Sequence, residues 1–184
     1  MEYLHVYSRG IDKTNIFRDK NDAIRFKKKY DYYLNSMVIT HAWCYLYNHF
    51  HLVISLKEGF SWNPAASSGT SVYRKFSHWL NSHAQYFNQR HHRTGSLFVR
   101  PLKKKAITDE KYFTHLICYV HWNPQLHRLT DDFRTWSFSS YNQFLSEVKP
   151  DVSSVVMQEF GGLENFVIAH SEIRDRVPER LKIE

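Results

Sequence analysis

The chain has 184 residues, of which 42% are hydrophobic and 23% charged, a size and mixture that give one domain with a buried core and exclude intrinsic disorder for most of it. Its formal net charge is +7, twelve histidines stand outside that count and 16% of residues are aromatic, so an anionic partner is the first to consider. The two cysteines, Cys44 and Cys118, form no C-x-x-C pair, the first ten residues do not read as a signal peptide and no run approaches a membrane span; a disulfide framework, secretion and membrane insertion are therefore not expected, and a reducing, cytoplasmic compartment is.

Residues 2–9 alternate Tyr3, His5, Tyr7 against Leu4, Val6, Ser8 and stop at Arg9-Gly10, the pattern of a strand with one apolar face. From about Asn21, Phe26, Tyr30, Tyr33, Leu34 and Met37 recur at helical spacing with lysines opposite, which predicts an amphipathic helix. Residues 38–46 and 49–56 read as a hairpin around Tyr47-Asn48. A loop rich in Ser, Gly, Ala and Pro follows over 60–70, and then a second helix carrying Val72, Phe76, Trp79, Leu80, His83 and Phe87. Residues 97–107 read as a further strand, which Pro101 confines to an edge or a bulge. Thr108-Asp109-Glu110 caps a third helix with Phe113, Leu116, Ile117 and Val120 on its apolar side.

The order strand, helix, strand, strand, helix, strand is that of an α+β, ferredoxin-like split βαβ sandwich. The expected result is an antiparallel sheet with helices on one face and an appended third helix. Residues 1–145 form the domain in this reading, and 146–184 a C-terminal extension, either helical or mobile; its last 34 residues hold 4 basic against 7 acidic side chains.

Charge is unevenly distributed, with 17 Lys/Arg against 6 Asp/Glu in residues 1–105 and 8 against 12 in 106–184. Basic clusters at Arg25 to Lys29, Arg90 to Arg93 and Arg100 to Lys105 are interleaved with Tyr30, Tyr32, Tyr33 and Phe98, a mixture that meets phosphates and stacks on bases. One such cluster is more simply a solvated helix face, but three on a small domain point to nucleic acid. The candidate contacts are Arg9, Lys27, Lys28, Arg90, Arg93, Arg100, Lys103, Lys104 and Lys105.

The segment Asn48-His49-Phe50-His51-Leu52 puts His49 and His51 on one face of a strand, spaced to chelate one cation, with Phe50 and Leu52 turned to the core. In a chain with twelve histidines the pair carries little alone. In the third helix, Tyr119 and Asn123 are four apart and share a stripe, so a phenol and an amide face one point. Taken alone, that segment reads as a boundary tyrosine and an asparagine before a helix-breaking proline. His5 is a further residue that could face the site from the first strand, whereas His121 points elsewhere on the helix and Cys44 and Cys118 read as core thiols.

Five blocks in order, YLHVYSRG (3–10), HAWCYLYNHFHL (41–52), GSLF (95–98), YVHWNP (119–124) and WSFSSY (136–141), resemble the single-tyrosine HUH transposases of the branch associated with repetitive extragenic palindromes. The resemblance implies that His49, His51 and Asn123 bind a divalent cation, Mg²⁺ or Mn²⁺, and that Tyr119 attacks DNA. The product would be a 5′-phosphotyrosine and a free 3′-hydroxyl on single-stranded or hairpin DNA. Two positions depart from the family pattern: Tyr47 stands where a proline is usual, and Pro101 where arginine is frequent.

Two imidazoles and one amide oxygen leave coordination positions for phosphate and water. Strand transfer exchanges one phosphodiester for another, which fits the lack of a P-loop signature. The alternatives are a domesticated protein that binds a hairpin or single strand without cutting it, and a plasmid-type replication initiator or relaxase. Related transposases include dimers that exchange the tyrosine helix and monomers, so a homodimer stays open.

Overall fold

The computed structural model describes residues 2–67, 69–146 and 152–172. Strand β1 (Tyr3–Arg9), helix α1 (Lys20–Leu34), strands β2 (Val38–Leu46) and β3 (His49–Leu56), helix α2 (Val72–Arg90) and strand β4 (Lys103–Ile107) follow in that order. The strands form one sheet, β2-β3-β1-β4, with every neighbouring pair antiparallel. This is the ferredoxin-like α+β arrangement that the sequence pattern predicts.

The pleat divides β1, β2 and β3 between two cores. Leu4, Val6, Phe50, Leu52 and Ile54 face α1 and α2, where Phe26, Tyr30, Phe76, Trp79 and Phe87 complete the first core. The Trp79 indole N–H would be costly to bury alone, and it donates to the Phe26 carbonyl at 2.9 Å. Side-chain caps start the helices: Asp19 accepts from the N–H groups of Asn21 and Asp22, Ser71 from that of Arg74, and Asp109 from that of Tyr112.

The β2–β3 hairpin turns on Tyr47 and Asn48. The Tyr47 carbonyl accepts from the N–H groups of both Ile16 and Phe17, and the Asn48 carbonyl from that of Gly10, so the segment after β1 is tied under the turn. Gly10 is needed there because a Cβ would stand 2.0 Å from the Thr14 carbonyl oxygen.

The fourth strand is shorter than the predicted 97–107. Regular pairing covers Lys103–Ile107, while Leu97 and Phe98 turn into the first core and only an isolated bridge joins Phe98 to Gly10. Pro101 has no N–H with which to extend the ladder. The exposed Lys103, Lys104 and Lys105 then occupy a sheet edge, where lysines discourage pairing with another chain.

Helix α3 (Glu110–Leu126) packs on the opposite face of the sheet, against Ala42, Cys44, Leu46 and Val53. Its outer side is covered by a 3₁₀ turn at Phe133–Thr135, by α4 (Tyr141–Leu145), and by α5 (Val152–Phe160) and α6 (Leu163–Glu172). Consequently every residue from Leu116 to Pro124 is buried, where an amphipathic helix with one apolar side was expected. Val156, Phe160 and Phe166 belong to the same second core as Tyr119. Of the sequence-predicted extension, residues 147–151 and 173–184 lie outside the described residues. No helix among the described residues is long and apolar enough to cross a membrane.

Candidate active site between β3 and α3

With Phe50 and Leu52 in the first core, the alternation of β3 turns His49 and His51 towards α3. Asn123 meets them there: its Oδ1 lies 3.4 Å from Nε2 of His49. One turn earlier, the Tyr119 ring stands edge-on to His51 with centroids 5.7 Å apart. Tyr119 is 3% exposed and Asn123 is buried completely. The four residues singled out as nucleophile and ligands thus come together, all from one chain.

Hydrogen bonds around the group orient it. Asn123 donates from Nδ2 to the Tyr119 carbonyl at 3.0 Å, which leaves its Oδ1 as the atom facing the imidazoles. Asn48 similarly donates from Nδ2 to the Lys13 carbonyl, so its Oδ1 is the acceptor for Nδ1–H of His49 at 2.6 Å. In the tautomer that donates from Nδ1 to Asn48, His49 keeps a bare Nε2 facing the Asn123 carbonyl oxygen, an opposition of two acceptors that a bound cation would relieve. Nε2 of His51, also buried, has no hydrogen-bond partner. The donor set fits a hard or borderline divalent cation. Among the described residues, no cluster of three His, Cys, Asp or Glu is arranged to hold a metal, so such a site depends on the amide of Asn123.

Burial keeps these imidazoles uncharged. It lowers His49 to about 4, with the charge of neighbouring His127 adding to the effect. Burial also pushes His51 well below the usual imidazole range, followed by the influence of His49 and His5. His5, on β1, contacts Nδ1 of His51 through its own Nε2 at 3.0 Å, and burial followed by the charge of Lys105 brings it to about 3.

A cavity of about 680 Å³ opens in front of the histidines, lined by His49, His51, Tyr7, Arg9, Lys13, Lys103 and His127 among others. Arg9 and Lys103 from the predicted basic set therefore stand at the site. Lys105 pairs with His5 across the β1–β4 ladder and shares that face. Lys104 points the other way, its Nζ 5.5 Å from the Trp62 ring centre. The remaining predicted cations are elsewhere. Lys27 pairs with Asp31 at 2.6 Å, Lys28 is exposed on α1, and Arg100 donates to Asn81. Arg93 holds its own loop through Asn88, Gly95 and Ser96.

Arg90 reaches Asp19 and the buried Asp22, and His91 also donates to Asp22. Burial by itself would raise the Asp22 carboxyl, but the Arg18 N–H, His91 and Arg90 outweigh it and hold the group low. Sequence reasoning missed His127, whose ring lies 4.6 Å from that of His49. The signal was the spacing 119, 123, 127, a single helical stripe. Lys13 had no such signal, because a turn rather than an element brings it to the cavity.

No protein-family model matches the chain, and no curated protein matches it by sequence. Among solved structures it is similar to one described as a REP-associated tyrosine transposase bound to a REP hairpin. The TM-score is 0.64, the identity 12%, and the match covers 83% of this chain and 84% of the other. At that identity the likeness is one of fold.

Proposed function

We propose that this chain is a metal-dependent tyrosine transposase that cuts and rejoins single-stranded DNA at a palindromic hairpin. The observation that carries the reading is the convergence of Tyr119, His49, His51 and Asn123 at one buried point beside a basic cavity. The fold likeness to a hairpin-bound tyrosine transposase supports it.

In this reading Arg9, Lys13 and Lys103 draw the DNA backbone into the cavity and counter the phosphate charge. His49, His51 and Asn123 would hold a divalent cation, Mg²⁺ or Mn²⁺, and the chemistry it would supply is Lewis-acid charge at the scissile phosphate. The Tyr119 phenol oxygen forms a bond to phosphorus as the bond to the 3′-oxygen breaks. The phenolic proton leaves, a proton is taken up by the departing 3′-oxygen, and a 5′-phosphotyrosine remains. Attack by a 3′-hydroxyl reverses the sequence with no other energy source. Packing of the Tyr119 ring on His51 fixes the nucleophile relative to the ligands.

The test is a labelled hairpin oligonucleotide with Mn²⁺: wild type cuts it, and Tyr119→Phe binds it with similar affinity and leaves it whole. Equal cleavage by the two proteins contradicts the assignment. A hairpin-binding protein that does not cut is the second reading. One observation favours it, namely that Tyr119 is nearly inaccessible and lies outside the cavity lining; binding without cleavage by wild type is its signature.

A further inference from the structure

We propose that His5 is a positioning residue for the metal site: by accepting a hydrogen bond from Nδ1 of His51, it leaves Nε2 of His51 as the lone pair offered to the cation. This rests on the reading of His49, His51 and Asn123 as ligands.

His5 belongs to β1 and lies one pleat diagonal from His51 on β3, since β1 pairs Tyr7 with His51 and His5 with Val53. The two rings are nearly parallel, at 22°, with Nε2 of His5 3.0 Å from Nδ1 of His51. His5 is 0% exposed; it meets the ligand pair through His51 and also packs on the cavity-lining ring of Tyr7, with ring centres 4.8 Å apart. Neither Nδ1 of His5 nor Nε2 of His51 has a partner. Either tautomer of the pair therefore leaves one buried N–H unanswered. Only the form with Nδ1–H on His51 places that residue's lone pair where a cation relieves it, beside the bare Nε2 of His49 and the Asn123 oxygen.

Metal-bound histidines generally give their second N–H to an acceptor that fixes both tautomer and ring orientation. Asn48 does this for His49, and His5 is the matching group for His51. The acceptor here is a neutral imidazole rather than a carboxylate, so it orients the ligand without adding negative charge to the site.

The experiment is a Mn²⁺ titration of the full chain, without DNA, followed by electron paramagnetic resonance. Wild type, His49→Ala, His5→Leu and His5→Gln are compared, with NMR of the histidine nitrogens in the metal-free protein. His5→Leu is expected to weaken Mn²⁺ binding by about 10- to 100-fold. His5→Gln, which places an amide oxygen near the lost Nε2, recovers most of it. His51 shows Nδ1–H in wild type and in His5→Gln. Unchanged affinity in His5→Leu, a Gln variant as weak as the Leu variant, or an Nε2–H His51 in wild type overturns the role of His5 while the ligand assignment stands. Failure of wild type to bind Mn²⁺, or binding by His49→Ala as tight as wild type, removes the ligand assignment and the role of His5 with it. The wild-type tautomer is readable even if His5→Leu does not fold.

Discussion

Asn48 and Asn123 each direct their amide nitrogen to a main-chain carbonyl, of Lys13 and Tyr119 respectively, and so turn their oxygens towards His49. The basic residues divide in the same way, according to what else they touch. Lys103 lines the cavity, whereas Arg90 is held by Asp19 and Asp22. Lys103→Ala is expected to weaken hairpin binding and to reduce the slope of log affinity against log salt by about 1. Arg90→Ala is expected to leave that slope unchanged and to lower stability, because it removes a partner from a buried carboxylate. Filter binding over a salt series and urea unfolding separate the two; a slope change in Arg90→Ala would return it to the DNA track. Sequence could not distinguish these cations, since Arg90 and Asp19 are 71 positions apart and only the packing of α1 on α2 joins them.

At the scale of elements, α3 is the part that joins site to core. On the side away from His51, His121 bonds to Ser140 and to His170 of α6, each at 2.8 Å, and the Trp122 indole N–H donates to the His170 carbonyl. Phe166 of α6 is completely buried and packs against Phe160, Tyr141, Phe144 and His170. Phe166→Ala is expected to cost about 3–5 kcal/mol, read as a lowered urea midpoint, with faster amide exchange along α3. Exchange in α3 no faster than wild type would mean that α6 does not brace the helix that carries Tyr119. The strands, the hairpin and the helical stripes of α1 and α2 were legible because their periodicities report one buried face each. The burial of α3 all round was not, because a spacing pattern records a single neighbour and this helix has a sheet on one side and helices on the other.

For the molecule as a whole, burial of histidines sets the response to acid. Burial brings both His41 and His83 to about 4, and His83 donates to the Ile16 carbonyl from inside the first core. In the unfolded chain they titrate near 6.5. Their contribution is therefore complete above pH 6.5 and is lost as pH falls towards 4, because the unfolded chain takes up protons that the folded one refuses. The slope within that window is up to about 1.4 kcal/mol per pH unit for each histidine. Urea midpoints measured between pH 7 and 4.5 should fall, and less steeply in His83→Gln; a flat profile would contradict the burial. The fold could be read from sequence, as could the four residues that converge, whereas of the nine predicted cations only Arg9 and Lys103 line the cavity. The orientation of those four residues could not: Asn48 and His5 stand in the quoted blocks, but the hydrogen bonds they make to His49 and His51, and the Lys13 carbonyl that turns Asn48, follow from packing and not from spacing.

The central claim is that Tyr119 carries the DNA through a covalent bond, and the most direct test is to trap and map that bond. Wild-type protein incubated with a hairpin substrate and Mn²⁺, then denatured and digested, is expected to yield one modified peptide, with a 5′-phosphate ester on Tyr119. Tyr119→Phe should yield none. An adduct on a different residue, or cleaved DNA with no protein adduct, would contradict the assignment.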